Sequence, residues 1–334
     1  MSSALVDSIP NLMRPGFRDR VACWLLLFGW LLVVPRQDAV EKGAAQEVLA
    51  RVGDSEVTAQ ALLRWLRKSF PNYATDTAEQ AKITLAAFSP ALIKGALEHL
   101  VNRMIVLDYL RKNGLGVSPE EIKLDLENLA NQLAQMDSAL EDYLKKEEIT
   151  RKELESEIEW KIAWARYLAK VLNDEYLLKH FERHRRRFDH SEMRVAHLLI
   201  TAQDRSEADA VKLAEQIYKQ IQSGQITELE HAWSAAVSQH SQAPSKERGG
   251  DIGWIRFHEP MPESFSAAAF SLKVGEVSRP VVTKFGVHLI RCLDLKEGKV
   301  GWRDASTTVR DHAAKTLFER IAKKHRTQVS ITIN

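Results

Sequence analysis

The chain predicts an α+β protein: a helical N-terminal region followed by a small α+β domain built on one sheet. Apolar residues recur at helical spacing through most of the stretch from Thr58 to about residue 187. From Met193 onward, short β-branched runs alternate with helical segments, the pattern of a compact α+β domain. At 334 residues the chain is also longer than one core usually serves, which points to two domains plus an extra segment.

Composition narrows the function classes. Hydrophobic residues make up 45% and charged residues 28%, the balance of a water-soluble globular protein and not of a disordered chain or a multi-span membrane protein. Basic and acidic side chains number 47 and 45, a formal charge of +2, so nothing argues for nucleic acid as a partner and none is expected. Cys23 and Cys292 are the two cysteines, and Cys23 falls inside an apolar N-terminal run. No disulfide within the mature domains is therefore expected.

That N-terminal run carries a localisation signal. Arg14, Arg18 and Arg20 precede the uncharged stretch from Val21 to Val34, which contains Trp24, Leu25, Leu26, Leu27, Phe28, Trp30, Leu31 and Leu32. Positive then apolar reads as export. The stretch is shorter than the roughly 20 residues that cross a bilayer core, while the small-residue cleavage candidate, Gly43-Ala44-Ala45, lies well downstream. A cleaved signal and an inner-membrane anchor over residues 21–34 both stay open, and either places the rest of the chain outside the cytoplasm, in the periplasm. Polar and small residues between Gln37 and Gln46 suit a linker.

The elements follow in order. Val48, Ala50 and Val52 alternate with polar residues before Gly53-Asp54, with Val57 beyond, predicting a short strand and a turn. Ser89-Pro90 sets a capping hydroxyl before a proline at the first helical position. Leu92, Leu97, Leu100, Val101, Met104, Ile105 and Leu107 then predict a long buried helix ending near Gly114. Ser118 with Glu121, and Thr150 with Glu153, have the spacing of reciprocal caps that start two more helices. The basic run Arg183-His184-Arg185-Arg186-Arg187 reads as a solvated helix end, where cations are favoured. His180 and His184 stand one helical turn apart without a third ligand at matching spacing, so no metal site is expected.

Val195 and Leu198-Leu199-Ile200 predict a strand, followed by helices near 204–223 and 229–237 and a glycine turn at Gly249-Gly250. A helix around Phe265 to Phe270 leads to two strands, Val277 to Val282 and Val287 to Leu293. A final helix from Arg303 to His325 ends in Val329, Ile331 and Ile333, alternating with polar residues. That tail is expected to be a strand whose partner is Val48 to Val52.

Three motifs in this order resemble the parvulin family of peptidyl-prolyl cis/trans isomerases: Arg194-Val195-Ala196-His197-Leu198-Leu199-Ile200, Arg248-Gly249-Gly250-Asp251-Ile252-Gly253-Trp254, and Phe285-Gly286-Val287-His288-Leu289-Ile290. The stretch Phe270 to Val281 is similar to the family's turn into its last hairpin, and the layout of the flanks resembles SurA-type exported foldases. The resemblance implies a four-stranded antiparallel sheet in an isomerase domain over 191–296. It further implies a helical chaperone-like domain over 46–190 after a leader over 1–45, and a C-terminal segment, 297–334, packing back on the helical domain.

The same resemblance implies site residues. His197 and His288 match the family's paired histidines, and Thr283 the hydroxyl linked to them. Met261 and Phe265 match the apolar positions that grip a proline ring, with Ile252 and Phe285 beside them. Ala243 stands where the family usually carries Asp or Cys: either neighbouring Ser241 or Gln242 substitutes as a substrate contact, or activity is reduced and the chain is a catalytically weak holdase or assembly chaperone that uses the parvulin domain for binding. The implied partners are unfolded or partly folded proline-containing polypeptides.

The chemistry asks for little more. Rotation about a peptide bond meets a barrier of roughly 18–20 kcal/mol, and the two X-Pro isomers differ by about 1 kcal/mol. No bond breaks, so no nucleophile or cofactor is expected; a site must only fit the twisted amide better than the planar one.

Overall fold

The computed structural model describes residues 47–70, 84–223 and 228–333. The predicted export segment, with Cys23 and the 21–34 run, lies outside these residues. Among the described residues no helix is long and apolar enough to cross a membrane. The chain divides into two compact units: residues up to 173 together with 314–334, and residues 174–313.

The first unit opens with β1 (Val48–Val52) and β2 (Ser55–Thr58), joined by a turn at Gly53-Asp54. Thr58 caps α1 (Ala59–Ser69) by accepting from the Ala61 amide. β7 (Ile331–Ile333) pairs antiparallel with β1, setting Ala50 opposite Ile333 and Val52 opposite Ile331, as the alternating tail predicts. Leu49, Val52, Val57, Leu62 and Leu66 form a core against these strands. In α2 (Pro90–Leu110) the Ser89 hydroxyl accepts from the Leu92 amide and Pro90 occupies the first turn. Its apolar residues serve two cores, Val101 and Ile105 on one side and Val106, Leu107 and Leu110 on the other. A helix apolar around most of its circumference has to be enclosed in this way. The last turn loosens over 111–115 and stops at Gly114, whose φ of 71° suits glycine.

Both reciprocal caps form: Ser118 with Glu121 at the start of α3 (Pro119–Ala134), and Thr150 with Glu153 at the start of α5 (Arg151–Val171). Between them α4 (Leu140–Lys146) packs its Leu140, Tyr143 and Leu144 against Leu126, Leu154 and Ile158.

The second unit begins with α6 (Asp174–Arg183) and the single turn α7 (Arg185–Phe188). Its sheet comprises β3 (Glu192–Ile200), β4 (Asp251–Arg256), β5 (Val281–Thr283) and β6 (Gly286–Lys296), in the order β4-β3-β6-β5 and antiparallel throughout. The predicted strand over 277–282 shrinks to β5 and an isolated bridge at Val277, because Pro280 has no N–H to give a ladder. α8 (Glu207–Gln222) and α9 (Leu229–His240) cover one face, over Ala196, Leu198, Ile200, Val287 and Leu289. α10 (Glu263–Ala269) covers the other, over Met193, Val195, Ile290 and Cys292. α11 (Ser306–His325) carries Phe318, Ile321 and Ala322 into the core around Leu110 and Ala163 of the first unit.

The basic run departs from expectation. Arg186 and Arg187 are not a solvated helix end: they reach Leu272, Glu297, Glu263 and Phe257 of the second unit. Nothing in the local sequence marks those partners.

Candidate active site

Strand alternation places the two histidines. Along β3, Val195 and His197 share the face opposite Ala196 and Leu198; along β6, His288 shares a face with Ile290 and Cys292. The register pairs His197 with Ile290 and Leu199 with His288, so the imidazoles are diagonal neighbours on adjoining strands. Their rings lie 5.3 Å apart and 19° from parallel, with Nδ1 to Nδ1 at 3.1 Å.

One of these Nδ1 atoms must carry the proton and the other accept it. His288 Nε2 is 2.8 Å from Thr283 Oγ1, which also accepts from the Phe285 amide at 3.1 Å. If His288 Nδ1 donates, its Nε2 accepts from the Thr283 hydroxyl; if His288 Nδ1 accepts, Nε2 donates to it. Both arrangements satisfy His197 Nδ1 and both ring nitrogens of His288. His197 and His288 are 8% and 2% exposed. Burial pushes the His197 imidazole down to about 4. Burial, with His197 adding to it, pushes His288 to about 3. Neither ring carries charge near neutral pH.

Phe265 of α10 stands nearly perpendicular to both rings, at 5.8 Å from His197 and 5.3 Å from His288. It is wholly buried and so forms the floor of the apolar region, while Met261 and Ile252 pack against the same cluster and keep part of their surface. Phe285 stands 52% exposed beyond Thr283.

The glycine motif serves this geometry. His197 N donates to Gly250 O at 2.9 Å, and a Cβ on Gly250 would lie 2.4 Å from His197 O. With φ at 85°, only glycine lets this loop lie against the His197 backbone. Trp233 Nε1 donates to Gly249 O at 3.0 Å, tying the loop to α9. Arg194 and Asp251, from two separate motifs, form an ion pair at 2.6 Å across β3 and β4.

The loop before the double glycine is held by its own polar groups. Ser241 is buried, and its Oγ accepts from the Leu199 and Ala243 amides, both at 3.3 Å. Gln242 N donates to Leu199 O at 2.8 Å, and its Oε1 accepts from the Thr201 amide at 2.8 Å and hydroxyl at 3.1 Å. Ala243 is buried and supplies only a methyl group. Among the described residues, no group of three or more His, Cys, Asp and Glu is arranged to hold a metal.

A small antiparallel sheet with two dehydrated, mutually hydrogen-bonded histidines beneath an aromatic floor defines the class: a domain of the prolyl isomerase type. Comparison with known families agrees, since residues 197–294 match the PPIC-type PPIase (rotamase) domain and residues 16–168 the SurA-like N-terminal domain. The chain is 30% identical over 227 residues to a parvulin-like PPIase of Rickettsia prowazekii, covering 66% of this chain and 67% of that one. It belongs to the parvulin-type peptidyl-prolyl cis/trans isomerase family. It is also 26% identical over 204 residues to the foldase protein PrsA of Caldanaerobacter subterraneus, covering 59% of this chain and 56% of that protein, so it spans little over half of that relative. A crystal structure of the peptidylprolyl isomerase PrsA of Bacillus anthracis superposes with a TM-score of 0.35 at 19% identity, covering 69% of this chain and 96% of the other.

Proposed function

We propose that the protein isomerises X-Pro bonds in exported, incompletely folded polypeptides, with residues 46–190 holding the client near the isomerase domain. His197, His288 and Thr283 form the catalytic array; Met261, Phe265, Ile252 and Phe285 receive the proline, with Ser241 and Gln242 at the loop that flanks it. The observation that carries this reading is the neutral His197–His288–Thr283 array directly against Phe265. A dry, uncharged floor suits an amide that has lost conjugation and much of its dipole. A second site on the same chain raises the local concentration of client at the first. The basic and apolar residues from Arg14 to Val34 support placement outside the cytoplasm, cleaved or anchored.

The test is refolding of a protein whose slow step is prolyl isomerisation, together with a peptide isomerisation assay. The wild type should accelerate both, and Met261→Ala and His288→Gln should each lose about tenfold or more in kcat/KM, roughly 1.4 kcal/mol of transition-state stabilisation. A wild type that leaves both rates at background ends this reading. The intact mass of the protein recovered from the envelope decides between cleavage and anchoring.

A further inference from the structure

α10 carries Phe265, yet little within it explains why it holds its shape. It has 7 residues, and its N-cap is Pro262, which offers no capping side chain. Isolated helices this short do not persist in water. Both of its ends are instead gripped by arginines of α7, which precedes the matched rotamase segment.

At the N-terminal end, Arg187 Nη2 donates to Glu263 Oε1 at 2.7 Å, with the two side chains 13% and 26% exposed. The guanidinium carbon lies 4.3 Å from the Phe257 ring centre, and Phe257 packs against Phe270 at 5.5 Å. Beyond the C-terminal end, Arg186 Nη1 donates to Leu272 O at 2.8 Å and Nη2 to Glu297 at 3.1 Å. The platform is fixed in turn. Asp189, wholly buried just after α7, accepts from the Ser191 amide and hydroxyl. Gly298 N donates to Ser191 Oγ, and Val300 N to Asp189 O.

We propose that Arg187 is a positioning residue for isomerisation: through Glu263 and Phe257 it sets α10, and so holds Phe265 against the His197–His288 pair. The inference rests on the isomerase reading above. Arginine suits the task because its planar fork can bond a carboxylate and lie over a ring together, which a lysine cannot reproduce. A merely structural ion pair would change stability on removal and leave the chemistry untouched.

The experiment uses the full chain with Arg187→Met, Arg187→Lys, Glu263→Gln and the double variant R187M/E263Q, and Glu192→Gln on the sheet's far pair as control. Measured are kcat and KM separately on an X-Pro peptide, the thermal midpoint, and the ring ¹H–¹⁵N signals of His197 and His288. Arg187→Met should lower kcat about five- to twentyfold with KM moving less, and should shift both ring signals. Arg187→Lys should recover only part of kcat, the double variant should be no worse than Arg187→Met, and Glu192→Gln should match the wild type. Wild-type kcat with unshifted ring signals in Arg187→Met overturns the inference, and so does strict additivity in the double variant. If Arg187→Met does not fold, Arg187→Lys decides: full wild-type kcat in it overturns the inference. If the wild type itself has no isomerase activity, the functional reading fails separately, and the ring signals alone decide whether Arg187 positions α10.

Discussion

The His197–His288 pair is defined by lack of water as much as by contact. Each ring is held below its ordinary value near 6.5 by burial. Between pH 6.5 and about 4, the unfolded chain takes up protons that the folded chain refuses. The stability contributed by neutral rings is therefore complete above about pH 6.5 and is lost as pH falls toward 4 and then 3. His99 in the first unit, packed against the rings of Trp65 and Phe318 and pushed to about 4 by burial with Arg103 adding, acts in the same direction. Urea denaturation at stepped pH should show the midpoint dropping through this window. By the same argument kcat/KM should stay flat from pH 8 to 6; a step centred near 6.5 would mean a titrating imidazole and a different mechanism. Thr283→Val removes the partner of His288 Nε2 and should destabilise the second unit by about 1–2 kcal/mol, read from the same curves. Both histidines were visible in the sequence because each sits in a motif of fixed residue types, whereas Thr283, between two matched stretches, came only from the family resemblance. The total burial of Phe265 was not, since a helix of seven residues shows no face until the sheet beneath it is known.

Among elements, the short ones depend most on distant residues. Gly298 follows β6 with its Cα against α7's exit: a Cβ there would meet Asp189 O at 1.8 Å and Ser191 N at 2.6 Å. No rotamer relieves a clash with backbone, so Gly298→Ala should cost more than about 2 kcal/mol and lower the thermal midpoint of the whole second unit. Substitution at Gly253 meets no atoms within 4 Å and is opposed only by its φ of 81°, so Gly253→Ala should be the milder of the two in the same melt. Caps at Ser89, Ser118 and Thr150 were legible because a cap is local: donor and acceptor lie three residues apart. The arginine run was misread for the opposite reason, as its partners Leu272, Glu263 and Glu297 lie 86, 76 and 111 residues away. Charge next to a helix end looks the same whether water or a carboxylate meets it.

At the scale of the molecule, the first unit is discontinuous and the second is not. Ile331 and Ile333 pack on the core that Leu49, Val52 and Val57 begin, so Ile333→Asp should lower the stability of the first unit while leaving the peptide isomerisation rate unchanged. The loss is read from urea unfolding of the full chain followed by far-ultraviolet circular dichroism. The final strand was readable from alternation alone, and its partner from an edge that otherwise stood open. That pairing orders the assembly during synthesis. The four strands of the second unit's sheet, within residues 192–296, all precede β7 in the chain, so they are made before β1 can gain its second neighbour. Until β7 is made, β1 is paired on its β2 side alone, and its other edge is open to any extended peptide.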